Sequence, residues 1–75
     1  MSKRSIYKII GFNIQILRRE LDMTQEKLAI LTAIDRSYLG KMENGRVNPS
    51  LQKLFFIALT LKIPLSTLFK NGVVE

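Results

Sequence analysis

DRSYLGKMENGRVN, residues 35–48, reads as a short helix with a marked start, a marked stop and two unlike faces. Asp35 is a good N-cap, because its short carboxylate accepts the free amides of a first helical turn. Asn44-Gly45 is a stop, since both residues tolerate the left-handed conformation that ends a helix. Stepping about 100° per residue from Arg36 separates Arg36, Ser37, Gly40, Lys41 and Asn44 from Tyr38, Leu39, Met42 and Glu43. The first group is small, polar or cationic, and the second is mainly apolar. Alone, that split describes any amphipathic helix lying on a core. The residues before it narrow the reading.

Upstream lies TQEKLAILTAI, residues 24–34. Thr24 is an N-cap candidate for a helix over Thr24 to Leu31, and Leu28 and Leu31 give that helix an apolar edge. Thr32-Ala33-Ile34 leaves about three residues before the next cap, the length of the turn in a helix-turn-helix. Ala29 is small where two steeply crossing helices need close approach. TQEKLA followed by RSYLGKMENGRVNPSL resembles the Cro-and-repressor-type (XRE) helix-turn-helix family of bacterial and phage DNA-binding regulators. The resemblance extends over Ile10 to Phe69, and RSYL followed by ENGRVN is also similar to the controller proteins of restriction–modification systems.

The resemblance implies an all-α, compact five-helix, lambda-repressor-like domain that regulates transcription by binding an operator as a homodimer. It puts Gln25 on a DNA phosphate and against the reading helix. It also pairs Arg18, late in helix 1, with Glu43, late in helix 3, as a partly buried bridge that orients the reading helix. Two positions depart from the family. Asp22 stands where Gly or Asn often ends helix 1, and Ala33 stands where Gly is usual in the turn. If position 33 keeps a positive φ, Ala incurs strain of about 1 kcal/mol.

Composition bounds the remaining choices. Seventy-five residues with a net charge of +6 permit one domain, residues 1–75, with a small core. Such a chain is marginal in isolation unless well packed or oligomeric. It has no cysteine and no histidine, which excludes disulfide staples and the usual zinc sites and fits a reducing cytoplasm. No metal, cofactor or small-molecule ligand is indicated. Lys8, Asn13 and Gln15 interrupt the apolar character of the N-terminus, so it is not a signal peptide. The longest apolar run, Leu54 to Leu59, is far short of the ~20 residues a membrane span needs. The cationic excess and an isoelectric point near 10.1 favour an anionic partner, which the family resemblance implies is double-stranded DNA.

In chain order, Met1 to Ser5 reads as a flexible basic arm. Helix 1 is expected from Ser5 or Ile6 to Leu21, with Ile6, Ile10, Ile14, Leu17 and Leu21 as its core stripe and Ile9, Phe12 and Ile16 as surplus apolar residues. The helix-turn-helix occupies residues 24–44. GRVNP is a loop, since Asn48 before Pro49 is held extended. Ser50 caps helix 4, expected over Leu51 to Leu61 with Leu51, Leu54, Phe55, Ala58 and Leu61 inward. Pro64 or Leu65 opens a short helix 5 ending near Lys70, with Leu65, Leu68 and Phe69 closing the core. Val73-Val74-Glu75 is a short tail.

In the helix-turn-helix docking mode, the N-terminal part of the second helix enters the major groove. Arg36, Ser37, Gly40 and Lys41 are therefore the candidate base-reading positions. Arg36 leads, because a guanidinium can bond O6 and N7 of guanine together, worth about 1–3 kcal/mol of discrimination. Gly40 weakens an isolated helix by about 1 kcal/mol relative to Ala, yet lets it lie close to the bases. Gln25, Tyr38, Asn44, Arg46 and Asn48 are candidates for the DNA backbone or the minor groove, with phosphate the first choice for Arg46 and a narrow minor groove the second. Phe56, Leu59, Ile63, Leu65 and Phe69 are candidates for a dimer interface, because Phe56 and Leu59 are apolar where the family more often has polar residues.

An enzyme fares badly against this reading. The six carboxylates have capping, pairing or solvent roles, no histidine-based triad can exist, and no glycine-rich phosphate loop is present. The better rival is an antitoxin-type DNA-binding protein that also holds a protein partner. A long neutralising tail would favour it, and the sequence shows none.

Overall fold

Each of the four α-helices begins where a short polar side chain caps it. The computed structural model describes residues 2–71, and α1 (Lys3–Glu20), α2 (Gln25–Thr32), α3 (Arg36–Glu43) and α4 (Leu51–Leu61) are followed by a 3-10 helix (Leu65–Phe69). Ser2, Thr24, Asp35 and Ser50 accept from the backbone amides of Ser5, Lys27, Tyr38 and Lys53 at 3.0–3.2 Å. Each such cap stabilises its helix by about 1 kcal/mol. The Ser2 cap corrects the expected basic arm over residues 1–5, since the chain is already helical from Lys3. Met1 and the tail 73–75 lie outside the described residues. The fifth element is a 3-10 helix where an α-helix was expected, and the all-α class holds.

Three non-glycine residues in the left-handed region turn the chain between elements. Asp22, Ala33 and Lys62 have φ of 54°, 57° and 59°. Ala33 thus keeps the positive φ that Gly usually supplies. The turn closes through hydrogen bonds from the backbone N–H groups of Ala33 and Ile34 to carbonyls in the last turn of α2, with Ile34 buried beneath it.

One cluster forms the core: Ile10, Ile14, Leu28, Ala29, Ile34, Leu39, Met42, Leu54, Ile57, Ala58, Leu61 and Leu68. The inward set of α4 corrects the expected one. Leu54, Ile57, Ala58 and Leu61 face the core, whereas Leu51, Phe55, Phe56 and Leu59 are 41–65% exposed. Eight of the eleven α4 residues are apolar, so periodicity alone did not choose a face. The choice is made by what packs against α4, chiefly α2 and the 3-10 helix. Ile6, Leu21, Leu31 and Phe69 also prove exposed, and Leu17 and Leu65 only partly buried.

Two single residues on α1 carry long-range packing. Asn13 is buried and its Nδ2 donates to the carbonyls of Leu68 at 2.9 Å and Lys70 at 2.7 Å, clipping the 3-10 helix to α1. Gly11 lies against the end of α3, where an added Cβ would fall 2.7 Å from the Glu43 carbonyl oxygen and closer still to that of Met42. Neither backbone can yield cheaply. Gly11→Ala is expected to destabilise the chain by about 1–3 kcal/mol through overpacking, despite the gain in helix propensity. The urea midpoint reads this directly, and an unchanged midpoint would mean that α1 and α3 separate without cost.

Candidate nucleic-acid interface

α3 is held from behind and bare in front. Leu39 and Met42 enter the core, and Glu43 enters it as a carboxylate. Arg18 meets Glu43 with two parallel bonds, Nε to Oε2 at 2.8 Å and Nη2 to Oε1 at 3.0 Å. The two side chains are 8% and 1% exposed. Taking both charges out of water is costly and is offset only when every donor and acceptor finds a partner. Here they do. Arg18 Nη1 donates to the Met23 carbonyl at 2.6 Å, and Gln25 Nε2 donates to Glu43 Oε1 at 3.0 Å. The expected ion pair is therefore present and wider than expected, since it ties α1, the first residue of α2 and the end of α3 together.

The opposite half of α3 carries the base-reading candidates. Arg36, Ser37 and Lys41 are exposed, and Gly40 is half-buried between them and α2. Asn44, Arg46 and Asn48 continue the exposed polar surface beyond the helix end, while Val47 turns partly inward. Gly45, with φ 69°, makes this exit possible. A Cβ there would be strained and would sit 2.7–2.9 Å from Lys8. Gln25 is half-buried, committed at one end to Glu43. Tyr38 is also half-buried, and the Lys53 ammonium stands 5.2 Å from its ring centroid, a cation–π distance.

Lys53 was not singled out from the sequence. Its signal lies in its place three residues after the Ser50 cap, which sets it on the first turn of α4 beside the first turn of α3. Among the described residues, no helix is long and apolar enough to cross a membrane.

The dimer candidates divide. Phe56 and Leu59 line a groove of about 370 Å³ with Leu31, Thr32, Ala33 and Thr60. Phe69 borders a different hollow, with Ile6, Ile9, Ile10 and Asn71. Ile63 and Leu65 are half-buried against the core. Leu51 and Phe55, expected inside, instead extend the exposed ridge of Phe56 and Leu59 along α4, with the Phe55 and Phe56 rings 6.1 Å apart.

Comparison with known proteins agrees with this architecture. The chain is 40% identical over 62 residues to the control protein C.MunI of a Mycoplasma species, covering 81% of this chain and 84% of that protein. It is 39% identical over 59 residues to an immunity repressor of Bacillus phage phi105, covering 79% of this chain and 41% of the repressor. The restriction–modification controller protein C.AhdI of Aeromonas hydrophila superposes with a TM-score of 0.81 at 36% identity, covering 84% of this chain and 96% of that one. A helix-turn-helix family model, HTH_3, matches residues 14–68. With its paired helices, its turn and its buried Arg18–Glu43 anchor in place, the chain belongs to this Cro-and-repressor-type helix-turn-helix family.

Proposed function

We propose that the protein is a sequence-specific, double-stranded DNA-binding transcriptional regulator that binds its operator as a homodimer, with α3 in the major groove. One observation carries the reading. The outward half of α3 is exposed and cationic or small, while its inward half is fixed by the buried Arg18–Glu43 pair. A helix so anchored presents Arg36, Ser37, Gly40 and Lys41 to base edges without first ordering itself. Tyr38, Asn44, Arg46 and Asn48 flank it as backbone contacts, and the net charge of +6 supplies the long-range attraction to a duplex. The likeness to repressors and to restriction–modification controllers supports the same role. Selection of bound sites from random duplexes, followed by a salt titration of the winner, tests the reading. Enrichment of two-fold-related half-sites about one helical turn apart is expected, and no enrichment would overturn it.

Two substitutions separate reading from clamping. Arg36→Ala is expected to lower affinity for the selected site about tenfold or more with little effect on random duplexes. Equal losses on both would confine Arg36 to the backbone. Arg46→Ala is expected to weaken binding to every sequence and to flatten the dependence on log salt by about one unit. An unchanged slope would remove Arg46 from the phosphates.

A further inference from the structure

Gln25 is the side chain whose chemistry is most constrained at this surface. Its Nε2 donates to Glu43 Oε1 at 3.0 Å, and that oxygen also receives Arg18 Nη2. The amide cannot be reversed, because its carbonyl oxygen would then oppose a buried carboxylate oxygen, acceptor against acceptor. Oε1 must therefore point away from Glu43. It lies toward Gly40, 3.8 Å from where a Cβ of residue 40 would stand. Gly40 belongs to the outward half of α3, one turn after Arg36 and next to Lys41, and it contributes no side chain of its own.

We propose that Gln25 is a base-reading residue, whose Oε1 accepts a hydrogen bond from a major-groove amino group in the space that Gly40 leaves open. This rests on the DNA-binding reading above. A carbonyl oxygen cannot bond a phosphate oxygen, so this atom does not serve the backbone role that the family resemblance implies for Gln25. In the major groove the available donors are N4 of cytosine and N6 of adenine, which makes a C·G or A·T pair the recognised class. Because Glu43 holds the amide before DNA arrives, little side-chain freedom is lost on binding. Glu43 is then a positioning residue for Gln25 as well as the partner of Arg18.

The test compares the wild-type chain with Gln25→Met and Gly40→Ala on the selected duplex and on all its single-base-pair variants, at several salt concentrations. Gly40→Ala keeps an ordinary contact distance to Gln25 and so leaves the fold intact while filling the space. Both variants are expected to lose about tenfold of discrimination at the same single base-pair position. Discrimination elsewhere and the salt slope should be unchanged. A uniform loss on all duplexes with a shallower salt slope for Gln25→Met would assign Gln25 to phosphate, and unchanged discrimination would remove it from the interface. Either result overturns the proposal while leaving the DNA-binding reading intact. A wild-type chain that binds every duplex alike would overturn both.

Discussion

Glu43→Ala should leave the chain close to unfolding at room temperature. The carboxylate is almost fully buried and takes bonds from Arg18 Nε, Arg18 Nη2 and Gln25 Nε2. Removing it strands a buried guanidinium, a loss of about 3–5 kcal/mol. A chain of this length has about 4–11 kcal/mol of total stability, so the loss is comparable with the whole. Glu20→Ala, on an exposed residue of α1, should shift thermal melting little. A double change to Arg18→Met with Glu43→Met should be more stable than either single change, because no charge is left without a partner. Coincident melting of Glu43→Ala and Glu20→Ala would mean that the pair is fully solvated.

That pair was legible in the sequence because charge and family position both pointed to it, and the caps were legible because capping is local chemistry. Thr24, Asp35 and Ser50 each bond the amide three residues on, a relation written within four consecutive letters. Ser2 does the same, but the basic residues after it suggested an arm rather than a first turn. The face of α4 was not legible, since a helix that is apolar nearly all round fits a core on any side. Gly11 and Asn13 were missed for a different reason. Their roles depend on what lies opposite them, the carbonyls of Met42 and Glu43 in one case and of Leu68 and Lys70 in the other. No periodicity within α1 records that. At the interface the sequence identified the exposed side chains of α3, while the orientation of the Gln25 amide emerged only from its bond to Glu43.

Phe56→Lys combined with Leu59→Lys should convert the proposed homodimer into a folded monomer that binds a single half-site weakly. Both side chains are exposed, and with Leu51 and Phe55 they form an apolar ridge on α4 that the domain core does not use. Ridges of this kind mark contacts in soluble proteins, and a two-fold axis would set the same ridge against itself. The functional need is geometric. Successive major grooves on one side of a duplex are about 34 Å apart. The domain's longest extent is 32 Å and it has a single helix, α3, that is proposed to read bases, so one copy would not address both. Because neither lysine would enter the core, the double variant should still fold cooperatively, melting below the wild type only by what association contributes, and sedimentation should give the mass of one chain. Losing the second half-site should then reduce operator affinity by more than any single base-contact substitution, while the affinity for an isolated half-site stays near that of a wild-type protomer. A double variant that remains dimeric would rule out this ridge as the interface and direct the search to another exposed apolar surface, around Ile6, Ile9 and Phe69. Ile6→Lys with Phe69→Lys would then be the pair that dissociates it.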